Sequence, residues 1–304
     1  MKGFLKRVFG VFLVLFGVLV MTFIMLRVIP GNPASVLLNE HASQAAIDRI
    51  TRSMGLDKPL PEQFLIYLAG VVRGDLGRSY NLSRPVADLI AEAFPGTLRL
   101  ALAAALFAWC FGITAGVISA VFDNRLPDFL CMGVSLLGVS VPVFMVALTL
   151  QYLLYFKLGI LPLTVDGTIP SLIMPAIALG WNSAGNVARL TRSSLIEQKS
   201  APYIETAMAK GLTRRAAIVR HGLKNAFLPV LTLMALQLSD MLSGAVITET
   251  IFGIPGLGKL SLSAALTRDM PLLQGTVLFS AFLIAAGSVI ADFLNTVLDP
   301  RIRE

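Results

Sequence analysis

From Phe129 to Phe156 the chain carries no charged residue. A run of that length exceeds the roughly 20 apolar residues that cross about 30 Å of hydrocarbon as an α-helix. Val8 to Leu26, Leu98 to Phe122, Pro170 to Ala188, Leu228 to Thr248 and Met270 to Ala291 are runs of the same kind. The sequence therefore predicts an all-α integral membrane protein with six transmembrane helices. Pro142 lies inside the uncharged run and predicts a kink rather than an end, because neighbouring membrane helices re-satisfy the carbonyl that proline frees. Composition agrees: 56% of residues are hydrophobic and 14% charged, against about 25% charged in soluble domains.

A net charge of +7 would also suit a nucleic-acid binder, but the basic residues lie between the apolar runs, which favours the lipid bilayer and excludes nucleic acid as the partner. Residues 189–227 hold Arg189, Arg192, Lys199, Lys210, Arg214, Arg215, Arg220 and Lys224 against only Glu197 and Glu205. By the excess of positive charge expected inside, this connection is cytoplasmic, and both termini with it. The first run follows Lys2, Lys6 and Arg7, as a secretory signal would. It is long enough to cross and lacks a small-x-small cleavage site, so it reads as a retained helix. Cys110 and Cys131 fall inside apolar runs and imply neither a disulfide framework nor a metal cluster.

The division that follows is a cytoplasmic N-terminus and first helix (1–29), an extracytoplasmic subdomain (30–97) and a five-helix core (98–304). The subdomain carries helix-like stretches near Ala42 to Met54 and Pro61 to Val72. The core contains the basic loop 189–227. Within that loop Ser200-Ala-Pro-Tyr opens a helix, Glu205-Thr-Ala-Met-Ala-Lys continues it and Gly211 stops it. Thr213 caps a second helix, and Leu228-Pro229 begins the next membrane helix, where a proline's missing N–H is harmless. Such an element is either a membrane-skimming basic segment or a docking surface for a cytoplasmic partner; periodicity does not choose between them.

The stretch Glu205 to Gly211, with Pro229 eighteen residues further on, resembles the EAA loop of bacterial ABC importer permeases. Glu205, Ala207, Gly211, Leu228 and Pro229 occupy its motif positions. Arg27-Val-Ile-Pro-Gly-Asn-Pro-Ala34, Gly74-Asp-Leu-Gly77, Pro95-Gly-Thr-Leu98, Ile254-Pro-Gly-Leu-Gly258 and Leu298-Asp-Pro-Arg-Ile-Arg303 extend the likeness over almost the full length. Together they resemble the first permease of the dipeptide, oligopeptide and nickel importer family. Thr206 and Asn32 depart from the usual alanine and aspartate.

The resemblance implies a type I ABC importer permease fold in the bacterial inner membrane, without an ATPase site of its own. The implied partners are a homologous second permease, two cytoplasmic ATPase subunits that use ATP, and an extracytoplasmic substrate-binding protein. Glu205 would lie in the coupling helix and Gly211 in its turn. Di- or oligopeptides are the expected cargo on family breadth, with glutathione-like compounds or nickel chelates as the alternative. Outside this class, an ion-coupled carrier would be expected to show a repeat or coupling residues, and an assembly scaffold is separated only by copurification with ATPases and ATP-dependent uptake.

Two features inside the membrane stand out. Ala108, Gly112, Gly116 and Ala120 form a fourfold-spaced stripe, read as tight helix packing. Asp240 falls about 16 Å along the fifth helix, near the bilayer centre. It either pairs with Asn182 or Asn186 or lines the translocation path. A single carboxylate makes no metal site, and His41 and His221 fall on opposite sides of the membrane, so no metal ligand set and no bound cofactor is expected.

Overall fold

The computed structural model describes residues 2–28 and 57–298. The expected helix at Ala42 to Met54, the residues from Ile29 to Ala34, Asn32, His41 and the closing residues after Leu298 lie outside the described residues. All regular structure among the described residues is helical: α1 (Lys2–Val28), α2 (Leu60–Val72), α3 (Val86–Val121), α4 (Leu126–Ser140), α5 (Val143–Leu150, prolonged by a π turn, Gln151–Lys157), α6 (Ile169–Gln198), α7 (Pro202–Ala209), α8 (Arg214–Ala217), α9 (Leu223–Leu242), α10 (Val246–Ile251), α11 (Leu257–Leu266) and α12 (Met270–Leu298).

The expectation of six transmembrane helices is overturned. Among the described residues, Val86–Val121, Arg214–Leu242 and Met270–Ala291 are long and apolar enough to cross a membrane, which makes three, or four if a bent pair counts as one span. That pair is the uncharged run itself. It is broken between Ser140 and Val143 and turned by 106°, so Pro142 ends one helix rather than kinking it. The cause is local: Val141, preceding proline, is driven to extended backbone (φ −86°, ψ 125°), and Pro142 then serves as the N-cap of α5. The run at 170–188 lies in α6, where Asn182, Ser183, Asn186 and Arg189 dilute its hydropathy. The first run contributes the shorter apolar stretch Phe9–Met25. The run at 228–248 stops at Leu242.

Two helices organise the core. α3 runs for 36 residues through Pro95 and packs along α6 more extensively than any other pair. The small-residue stripe is that interface. A Cβ added at Gly112 would stand 2.7 Å from the Ala184 carbonyl oxygen, and one at Gly116 would stand 2.6 Å from that of Ala188. Gly180 and Gly185 of α6 return the pattern against Ala104 of α3 and Ser135 of α4. Small residues on both partners let the backbones meet, which is how helices associate where apolar burial gives no driving force. α9 packs against α12, and α1 lies along α12. Phe64 of α2 meets the rings of Phe16 and Phe23 on α1.

Gly116→Val would drive a branched side chain into the α6 backbone. Overpacking of this kind costs about 1–3 kcal/mol, so the variant should insert in the membrane yet melt at lower temperature in detergent; an unchanged melting temperature would refute the close approach.

Candidate functional site

The basic loop has the expected helix, glycine, helix order. α7 is opened by Pro202 in its first turn. Its inner face, Ile204 and Ala207, is buried against Ala217, with Ala201, Tyr203 and Leu212 around them. Glu205, Thr206 and Met208 are exposed on the other side, so this helix holds its scaffold with small apolar residues and presents a carboxylate outward. Gly211 has φ +94°, a conformation that L side chains rarely adopt. The Thr213 hydroxyl accepts the Ala216 N–H at 3.3 Å and caps α8. The Tyr203 hydroxyl donates to Gln198 at 2.7 Å and fastens α7 to the end of α6.

Leu228 and Pro229 do not begin a helix. The chain from Arg214 is one continuous span to Leu242 with a π turn at Ile218–Gly222, and Pro229 sits inside α9. Its ring leaves the Asn225 carbonyl without the usual intrahelical donor. Glu205, Ala207 and Gly211 thus share one compact element, whereas Leu228 and Pro229 lie further along the spanning helix.

Asp240 is exposed in the last turns of α9 and has no ion-pair partner among the described residues. Asn182 and Asn186 do not face it as partners. They form a ladder on α6: the Asn182 side-chain amide donates to the Val139 carbonyl at 3.3 Å, Asn186 donates to Asn182 at 3.1 Å, and Arg189 donates to Asn186 at 2.8 Å. The two helices are linked at Gln237, whose side chain donates to the Ser183 carbonyl at 3.2 Å. Among the described residues no group of three or more His, Cys, Asp or Glu could hold a metal ion.

Sequence reasoning missed the buried carboxylates. Glu249 is fully buried; it accepts the Thr97 hydroxyl at 2.7 Å, the Ala245 N–H at 3.3 Å and the Lys259 N–H at 2.8 Å. Thr97 in turn accepts the Leu257 N–H at 2.8 Å. A Cβ at Gly256 would lie 2.5 Å from the Glu249 oxygens. The motifs Pro95-Gly-Thr-Leu98 and Ile254-Pro-Gly-Leu-Gly258 are therefore two sides of one cradle, and the signal for their meeting was their glycines. Asp269, also buried, accepts the Ser79 hydroxyl and the N–H groups of Tyr80 and Asn81, both at 3.1 Å, which pins the loop after Gly77 to the start of α12.

Glu249→Ala would leave buried donors unpaired, at about 1–3 kcal/mol each, and Gly256→Ala would collide with the carboxylate. Both single variants should lower the melting temperature of the purified protein. Gly256→Ala should do far less harm when Glu249 is already alanine; additive losses would contradict the cradle.

Small-residue helix packing and a short helix that presents a carboxylate from a basic loop are features that suit a membrane permease subunit. The chain belongs to the family of binding-protein-dependent transport system inner membrane components: that family's model matches residues 112–304, and the model for the N-terminal part of such membrane components matches residues 1–101. It is 36% identical over 299 residues to the glutathione transport system permease protein GsiC of Escherichia coli K12, covering 98% of each chain. The same identity and coverage hold for GsiC of Shigella dysenteriae. Among solved structures it resembles the inward-facing MetNI methionine ABC transporter, with a TM-score of 0.51 at 16% identity over 68% of this chain and 96% of that one. An amino acid ABC transporter crystallised with histidines gives a TM-score of 0.52 at 18% identity over 71% and 94%. These two likenesses concern the fold. The protein is thus a multi-pass inner-membrane permease component of an ABC import system, of the kind that works with a paired permease, ATPase subunits and a substrate-binding protein.

Proposed function

We propose that this permease forms half of the translocation path for glutathione or a closely similar small peptide, and that α7 couples it to cytoplasmic ATPases. The observation that carries the cargo assignment is the 36% identity over 98% of the chain to glutathione permeases; it displaces the broader expectation of di- and oligopeptides. In this reading both termini and the basic loop that carries α7 face the cytoplasm, and ATP binds only to the partner subunits. Glutathione carries carboxylates, amides and an ammonium group, and the exposed polar groups suit that mixture. The Asn182–Asn186–Arg189 ladder offers amides and a cation to carboxylates, and Asp240 offers an anion to the ammonium group. In vesicles containing both permeases, the ATPases and the binding protein, uptake of labelled glutathione should exceed that of dipeptides, longer peptides and a nickel chelate. Preference for another member of that panel would overturn the cargo assignment.

Asp240→Asn should leave assembly and melting unchanged, because no buried cation among the described residues depends on the carboxylate. It should lower uptake at limiting substrate by about two- to tenfold, the range expected from losing one partly solvated charge contact. Normal uptake would remove Asp240 from the path.

Coupling is supported by the shape of α7: an eight-residue helix with an exposed carboxylate and small neighbours, stopped by a positive-φ glycine. Glu205→Lys reverses the presented charge, and Gly211→Val places a β-branched residue at φ +94°. Both variants should insert and pair with the sister permease, yet lose ATPase copurification or hydrolyse ATP without matching uptake. If both assemble, hydrolyse and import like the parent, α7 is not the coupling element.

A further inference from the structure

The loop that carries α7 is held at both ends by one short turn. The turn joins α3 to α4 and includes Phe122, Asp123 and Asn124, with Asn124 in left-handed backbone at φ +57°. On the near side of α7, Lys199 follows the last residue of α6, and its ammonium group meets Asp123 at 3.0 Å. On the far side of α7, the Arg215 guanidinium lies over the Phe122 ring, 4.7 Å from its centroid. Lys199 and Arg215 bracket α7 in sequence, and the residues that receive them are neighbours.

The turn itself is rigid. Asp128, buried in the first turn of α4, accepts the Ser119 hydroxyl and the Asn124 N–H, the latter at 2.9 Å. Arg192 of α6 forks onto it at 2.8 and 2.7 Å and reaches Asp123 at 3.1 Å with the same guanidinium. Carboxylates and cations balance within this cluster, and the bidentate geometry fixes direction as well as distance. Arg192 and Asp128 thus hold the turn in place, while Asp123 and Phe122 remain to grip the two roots of the α7 loop.

We infer that Asp123 and Phe122 are positioning residues for coupling: they tie both roots of the α7 loop to the turn leading into the broken α4–α5 pair, so that force on α7 reaches that pair as well as α6. The inference rests on the coupling role of α7. Without this tie, α7 would hang from α6 on one side and from the α8–α9 span on the other, and its displacement would reach α4 only by way of α6, through helix packing and the Arg192–Asp128 pair. With it, α4 moves with α7, and the 106° break is the joint at which that movement becomes a change of angle.

The experiment uses the complete reconstituted importer with labelled glutathione, or a labelled dipeptide if the transport panel selects it, and reads substrate imported per ATP hydrolysed. Asp123→Ala and Phe122→Ala should each lower this ratio by about two- to fivefold, the factor set by a partly buried ion pair or a cation–π contact, while Asp123→Glu should largely retain it. In a background lacking Cys110 and Cys131, Asp123→Cys with Lys199→Cys should show the same loss and recover it when a short bismaleimide bridges the two thiols, which a merely structural role would not do. Unchanged ratios alongside uncoupling by Glu205→Lys would overturn the clamp and leave α7 as the coupling element. Unchanged ratios in every variant, Glu205→Lys included, would overturn the coupling role itself. Should Asp123→Ala fail to assemble, Lys199→Met, which leaves Asp128 and Arg192 paired, carries the comparison; failure of both to assemble would assign the cluster to folding and overturn the clamp.

Discussion

The approach of the α3 and α6 backbones is the constraint on which the rest of the structure depends. Gly112 and Gly116 on one helix and Gly180 on the other leave no room for a single added carbon. In lipid this contact cannot be replaced by a merely apolar one, because a leucine facing leucine is no better placed than a leucine facing an acyl chain. Once α3 and α6 are in register, Arg192 is brought to Asp128, and Lys199 reaches the turn that follows α3. The register of the packed pair and the position of the basic loop are a single fact.

The remaining joints are made by buried carboxylates that accept backbone N–H groups. Glu249 gathers the segment between α9 and α11, Asp269 gathers the loop before α3, and Asp128 gathers the turn after it. Each lies where the chain reverses direction and backbone donors would otherwise be unpaired away from water. A carboxylate can accept from several donors at once, which suits it to loops whose N–H groups converge. The membrane-facing surfaces are apolar, yet the connections between helices are fixed by polar chemistry kept out of contact with lipid.

Much of this was legible in the sequence, and what was not has a physical reason. Run length identified the membrane class, and the small-residue stripe identified the α3 packing face, because both depend on residues close in sequence. Gly211 and Thr213 marked the end of α7 and the start of α8 for the same reason. The number of spanning helices was misread, since an apolar run says nothing about a break forced at Val141 and Pro142, and since α6 crosses its neighbours' packing with Asn182 and Asn186 aboard. Pro229 suggested a helix start because the preceding π turn has no sequence signature. Glu249 and Asp128 were passed over because their partners, Thr97 and Arg192, are distant in the chain. For the candidate site, Glu205 and Gly211 were legible as local helix and turn residues, whereas the clamp on their loop was not.

The break between α4 and α5 also bears on how the chain is made. Ending a helix at Ser140 frees carbonyls of its last turn, and an exposed carbonyl in hydrocarbon is expensive by several kcal/mol. One of these, on Val139, is taken by the Asn182 side chain, and Gly138 lies against Trp181. Both partners belong to α6, which leaves the ribosome after α4 and α5 have done so. The contacts that steady the bend at Asn182 and Trp181 therefore form only once α6 has been made.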